Sequence, residues 1–328
     1  MTLSLVLTYL LWAALGFVAC NVIFSPLIFR VLYMHLCARV LEEVPWLQAK
    51  TFPAAPDAEP CEFRTADGIT LAGSYLRHQA EHRVGVLLFC HEMTGDRWLA
   101  VPYTVELRKA GFDVLTFDFR NHGESQAVPQ YEPIPWLSEY ELHDVQAAVD
   151  YACSRPDADP RGPIMFGISR GGAAALCAAA TRPAVQAVAT DGAFPTVPMM
   201  LYYLMRFMSI YTVMAPIYRR IPRIYLSFLM WWTLRQAEPR RHCRFVKVEN
   251  YFRKVRQPCL LIHGELDSHI PPSIMQEVRG MLRGPVECWL APKARHNQAL
   301  WQNETEYHRR LVDFFLRHLS NPPPTSHT

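Results

Sequence analysis

From Val84 onward, short unbroken apolar runs alternate with longer stretches whose apolar residues recur every three or four positions. VGVLLFC, FDVLTFD, PIMFGI, VQAVATD, PCLLIHG and VECWLA have strand length and are too apolar to leave a face in water. Between them, the segment from Trp98 to Ala110, WLSEYELHDVQAAVDYACSR, GGAAALCAAA, SIMQEVRGMLR and TEYHRRLVDFFLRHL carry helical spacing. Upstream, CEFRTADGITLAGSYL predicts two strands turning at Asp67-Gly68. This alternation predicts an α/β domain with a mostly parallel central sheet and helices on both faces. Ligands of such sheets sit at the C-terminal ends of the strands. No internal repeat is present.

Two segments break the pattern. Met1 to Phe29 carries no charged side chain, and the run exceeds the roughly 20 residues that cross a bilayer. It lacks the basic start and the small-x-small site of a cleaved signal peptide. The expectation is an N-terminal transmembrane helix that anchors the chain. Arg30, Arg39 and Lys50 follow it and no basic residue precedes it, which puts the bulk of the chain on the cytoplasmic side. The second segment runs from Thr196 to Arg256, holding ten Arg, two Lys and two Glu, a net +10. The whole chain is +3, so the remainder is −7. Its first part is apolar and aromatic. A single crossing there would put the residues before and after it on opposite sides of the membrane. The expectation is amphipathic helices on the bilayer, with arginines at anionic headgroups, that also cover the ligand edge.

The resulting organisation is an anchor and linker over residues 1–50, a core over 51–195 and 257–320, a basic hydrophobic insertion over 196–256, and a disordered tail over 321–328. The FPAAPDAEP stretch marks the first boundary. The nine cysteines form no C-x-x-C pair and are odd in number, which reads as reduced thiols rather than a disulfide framework. Scattered His and Cys give no metal spacing, GISRGG lacks the lysine of a phosphate loop, and the small net charge excludes a global nucleic-acid signature. No cofactor is expected.

The chemistry gathers around Gly167-Ile168-Ser169-Arg170-Gly171-Gly172, which lies between a buried strand and an Ala-rich helix. A nucleophilic serine on a strained strand-to-helix turn needs this context. It also needs a base, and the base an orienting acid. Asp267 follows the strand LLIHG, and His296 follows the next strand. Glu265 is a rival acid, closer to its strand. His269 comes one strand too early, His308 lies in the closing helix, His242 in the insertion, and His122 precedes the nucleophile. Asp191 suits loop ordering better than catalysis.

The order Ser169, Asp267, His296, with LLFCHEMTGDRW and FDFRNHGES, resembles serine hydrolases of the α/β-hydrolase superfamily, of the serine-aminopeptidase and monoacylglycerol-lipase-like type, over Cys61 to Leu319. The resemblance implies an α/β-hydrolase fold with a helical cap, a Ser169-His296-Asp267 triad, and an oxyanion hole formed by the N–H groups of Met93 and Arg170. It implies a structural role for FDFRNHGES. It further implies hydrolysis of an ester or thioester of a hydrophobic, lipid-like substrate, with a peptidase or amidase, or a non-catalytic scaffold, as alternatives. The family commonly has glycine where this chain has Glu92. A positive φ there would cost glutamate about 1 kcal/mol. An inward carboxylate would hinder an oxyanion site; the expectation is that Glu92 points away and pairs with a basic group such as Arg97.

Overall fold

The computed structural model describes residues 3–32, 38, 39, 41, 42, 51–211 and 221–319. Eight strands form one sheet: β1 Ala58–Arg64, β2 Thr70–Leu76, β3 Gly85–Cys90, β4 Phe112–Phe117, β5 Ile164–Ile168, β6 Val188–Asp191, β7 Cys259–Gly264 and β8 Val286–Ala291. Their order is β1-β2-β4-β3-β5-β6-β7-β8. The β1–β2 hairpin and the β2–β4 pair are antiparallel; all other pairs are parallel. The helices are α1 Leu3–Leu32, α2 Ala100–Lys109, α3 Glu139–Ser154, α4 Arg170–Thr181, α5 Thr196–Tyr211, α6 Arg223–Arg241, α7 Pro272–Met281 and α8 Glu304–Leu319, with shorter turns between. The expected α/β-hydrolase fold is present.

Why the central strands β3 to β7 are so apolar is visible in the two cores. Successive side chains point to opposite faces. Leu88, Leu115, Met165 and Leu261 join one cluster with Val145 and Val149 of α3 and Met275 and Val278 of α7. Leu87, Phe89, Phe166 and Ile262 join another with Leu107 of α2 and Leu311 and Phe314 of α8. Helix α4 is buried from Arg170 to Ala179, and its alanines let it sit close to the sheet. The capping box of α3, Ser138 with Glu141, fixes where that helix begins.

Strand β3 runs to β4 on one side, while β5 lies on its other side. The connections therefore reverse direction at β3, and the crevice at the carboxyl ends of β3 and β5 is where such a sheet holds a ligand. Cys90 pairs with Gly167 there, and Gly167 with Thr190.

The chain divides into two compact units: Met1–Glu43 with Met200–Ala237, and Val44–Met199 with Glu238–Thr328. Thr196 N–H and Val197 N–H donate to the Glu249 carboxylate at 3.1 and 3.3 Å, and Ser138 bridges to Phe245. Both ends of the insertion thus belong with the hydrolase core. The α1 helix forms as expected, and its described side chains run from Ser4 to Cys20 without a break and are largely exposed, among them Leu10, Trp12 and Phe17. The transmembrane span itself is not borne out: among the described residues no helix is long and apolar enough to cross a membrane. The tail, most of the linker and residues 212–220 of the insertion lie outside the described residues.

Candidate active site

Ser169 occupies the turn between β5 and α4 with φ 53° and ψ −116°, a conformation that a residue with a side chain rarely adopts. The surroundings hold it there. Ser169 N–H donates to Asp191 O at 2.6 Å. A Cβ on Gly167 would lie 2.4 Å from Gly171 O, and one on Gly171 would lie 2.3 Å from both Cys90 O and His91 O. The turn closes, and meets the end of β3, only because both positions are glycine.

The structure brings all three predicted residues together. Ser169 Oγ lies 3.2 Å from His296 Nε2, and His296 Nδ1 lies 2.7 Å from Asp267 Oδ2. A carboxylate only accepts, so Nδ1 carries the proton and Nε2 is left to accept from the serine hydroxyl. Asp267 is itself fixed: Oδ1 accepts from His269 N–H at 2.9 Å and Ile270 N–H at 2.8 Å. Burial pushes the Asp267 carboxyl up, but the His296 bond and charge, the Ile270 N–H and His263 hold it below the usual carboxylate range. Burial would lower His296; the bond and charge of Asp267, with the charges of Glu92 and Asp191, outweigh it, so His296 titrates above an ordinary histidine.

The rivals lie elsewhere or do other work. Glu265 accepts from Lys293 N–H at 3.0 Å and braces the loop that carries His296. Asp191 accepts from Tyr307 OH at 3.0 Å, and burial pushes its carboxyl up to about 7 despite that bond. His122 faces two carbonyls, Arg120 O at 2.9 Å and Met93 O at 2.7 Å. His308 sits buried in α8, and His242 directly after α6, where its carbonyl accepts from Tyr140 OH. The His269 ring lies beside His296, centroids 5.9 Å apart, while its N–H serves Asp267.

Arg170 N–H belongs to the first residue of α4, where a helix leaves its N–H groups unused. The Glu92–Met93 peptide is held by its carbonyl. Phe119 N–H donates to His91 Nε2 at 3.1 Å, so His91 Nδ1 carries the proton and donates to Glu92 O at 2.6 Å. Gly95 N–H reaches the same oxygen at 3.2 Å. In a trans peptide the N–H opposes the C=O, so this clamp fixes the direction of Met93 N–H.

FDFRNHGES is structural, as expected. Asp118 accepts from Arg97 N–H at 2.7 Å and Glu124 N–H at 2.9 Å, and Arg120 pairs with Asp144 at 2.6 Å and Asp67 at 2.7 Å. This corrects the expectation for Glu92. The Arg97 guanidinium faces that loop and is taken by Asp118, Glu124 and Ser74 Oγ. Glu92 is buried, has no positive φ, and accepts a hydrogen bond from Asn297 Nδ2. Sequence reasoning missed Asn297. Its one signal was its type, since asparagine tolerates the left-handed backbone (φ 53°) it adopts directly after His296.

The model of the alpha/beta hydrolase family matches residues 87–313. The chain belongs to that family. It is 26% identical over 270 residues to the Escherichia coli K12 protein YfhR, covering 80% of this chain and 82% of YfhR. It is 34% identical over 119 residues, 36% of each chain, to thiohydrolase aneE of Aspergillus aculeatus. Among solved structures, an esterase from Pyrococcus furiosus superposes with a TM-score of 0.61 at 18% identity, covering 85% of this chain and 98% of its own. Acetyl xylan esterase 1 from Thermoanaerobacterium does so with a TM-score of 0.57 at 16% identity, covering 88% and 93%. Likenesses this remote show the fold alone.

Proposed function

We propose that the protein is a serine hydrolase that cleaves an ester or thioester through an acyl-enzyme. The observation that carries this is the unbroken chain Ser169 Oγ, His296 Nε2, His296 Nδ1, Asp267 Oδ2 at 3.2 and 2.7 Å. Ser169 Oγ attacks the acyl carbonyl and His296 Nε2 takes its proton. Met93 N–H and Arg170 N–H hold the developing oxyanion, a contribution of a few kcal/mol. The tetrahedral intermediate collapses, the bond to the alcohol or thiol breaks, and the leaving group takes the proton from His296. Water, deprotonated by the same imidazole, then releases the acid. The thiohydrolase among the similar proteins favours such leaving groups over an amine.

The substrate class and location extend this reading. The exposed side chains of α1 and the exposed Ile224 and Phe228 of α6 are apolar surface that water disfavours, which supports attachment to a bilayer and a hydrophobic acyl substrate. The basic residues between Thr196 and Arg256 would meet anionic headgroups. The expected result is that the full chain stays with membranes through salt and alkaline carbonate washes; release by salt alone would overturn the apolar attachment.

The test of the chemistry is covalent labelling by a fluorophosphonate, which reacts with an activated serine. Wild type should label and Ser169→Ala should not. A folded wild type that does not label would favour a scaffold over an enzyme.

A further inference from the structure

Three buried carboxylates, not one, bear on His296: Asp267, Asp191 and Glu92. The first orients the imidazole. The second is bonded to Tyr307. Nothing in the reaction as written uses the third.

Resting on the serine-hydrolase reading, we infer that Glu92 is a positioning residue for the base. Its carboxylate accepts from Asn297 Nδ2, tying the loop after β3 to the loop that carries His296. The bond spans 205 residues of sequence and closes on the residue directly after His296. Asn297 is buried and held at φ 53°, so its side-chain bond fixes the backbone that aims the imidazole. At its other end, the Glu92 carbonyl is clamped by His91 and Gly95 N–H. One residue thus positions both sides of the reacting carbonyl, the oxyanion donor through its backbone and the base through its side chain. A glycine can do only the first. Its negative charge also favours the imidazolium that forms when Ser169 gives up its proton.

Among the described residues, the titratable groups around His296 come from several elements. Asp191 comes from β6, where a Cβ on the next residue, Gly192, would lie 3.4 Å from His296 Cε1. His263 comes from β7, bonded to Ile270 O at 2.7 Å and 3.7 Å from Asp267 Oδ2. Asp267 and His269 come from the next loop, Ser169 from the turn after β5, and Glu92 from the loop after β3. Lys293 and Arg295, on the histidine's own loop, are exposed.

The experiment measures the rate of fluorophosphonate labelling of the full chain against pH, for wild type, Glu92→Gln, Glu92→Met and Glu92→Ala, with urea midpoints as a check on folding. Glutamine keeps an acceptor for Asn297 and loses the charge; alanine loses both. Wild-type labelling should rise with pH as His296 loses its proton. In Glu92→Gln that rise should move to lower pH by on the order of half a unit, less than the 1–3 units of a charge in direct contact. In Glu92→Ala the plateau should fall by on the order of 10²-fold, the cost of a misplacement near 1 Å. The glutamine plateau should lie at least about tenfold above it and above that of Glu92→Met, which fills similar space without the acceptor, so that restored packing alone does not account for the rescue. Coincident pH profiles for wild type and Glu92→Gln would remove the charge role. An undiminished Glu92→Ala plateau would remove the positioning role. If Glu92→Ala does not fold, Glu92→Met, which also lacks the acceptor, decides the positioning role, and the pH shift of Glu92→Gln decides the charge role. Absence of labelling in wild type at every pH would instead sink the serine-hydrolase reading, and this inference with it.

Discussion

Replacing Glu141 with glutamine should destabilise the protein strongly. Glu141 Oε1 lies 2.6 Å from Arg170 Nη2, and their side chains are 1% and 4% exposed. Glu141 also accepts from Ser138 N–H at 2.8 Å and Ser138 Oγ at 2.7 Å, and from Tyr131 OH. Burial would push its carboxyl up; Arg170, Tyr131 and Ser138 together hold it below the usual range. Glutamine preserves the shape but leaves the guanidinium buried without a counter-charge. Breaking one side of such a pair costs about 3–5 kcal/mol, a large share of a total stability of about 5–15 kcal/mol. At this burial the solvent screening that weakens surface pairs does not apply.

With a urea slope near 3 kcal/mol/M, a loss of about 3 kcal/mol lowers the unfolding midpoint by about 1 M. The assay is urea unfolding followed by tryptophan fluorescence, with both proteins in the same detergent. The double variant Arg170→Met with Glu141→Leu removes both charges and forfeits only packing detail and the cap, about 1 kcal/mol. It should be more stable than Glu141→Gln. The pH dependence has a definite sign. Because the folded carboxyl titrates below the unfolded value near 4.3, its contribution is complete above that pH and is lost as pH falls through the folded value. The gap between wild type and Glu141→Gln should therefore narrow below about pH 4. A midpoint shift under about 0.3 M, or a double variant no better than the single, would refute the ion-pair argument.

Two further outcomes follow from the same geometry. Gly171→Ala places a Cβ 2.3 Å from two backbone carbonyl oxygens, so the turn and the end of β3 must separate by about 1 Å to restore ordinary contact; labelling should fall by on the order of 10²-fold, and a wild-type rate would contradict the closeness ascribed to that junction. Asp191 titrates near 7 in the folded chain and near 4 unfolded, so the folded state holds an extra proton between those values and stability falls as pH rises through them. Asparagine still accepts from Tyr307 OH and carries no such proton, so Asp191→Asn should flatten thermal stability between about pH 4 and 7, and an unchanged slope in a melting series would count against the raised carboxyl.

What the sequence made legible and what it hid divide along physical lines. β3 to β7 could be read because burial on both faces favours apolar residues along nearly their whole length, and edge strand β8 by its short apolar run; Ser169, Asp267 and His296 could be read because each closely follows one of these strands. Local chemistry marks such places. Arg97 shows the limit. It lies five residues from Glu92, and proximity in sequence suggested a pair, yet the short helix Arg97–Leu99 turns its guanidinium to Asp118 and Glu124. The true partners of Glu92 and Arg170 are Asn297 and Glu141, brought in from another loop and another helix. Their meeting depends on strand order, which places β3 beside β5 at the point where the connections reverse. Apolar periodicity carries no information about that order, because swapping two fully buried strands leaves the pattern unchanged. Polar partnership across the sheet is therefore the part of a site that only the fold reveals, and in this chain Glu92 and Asn297 are its clearest case.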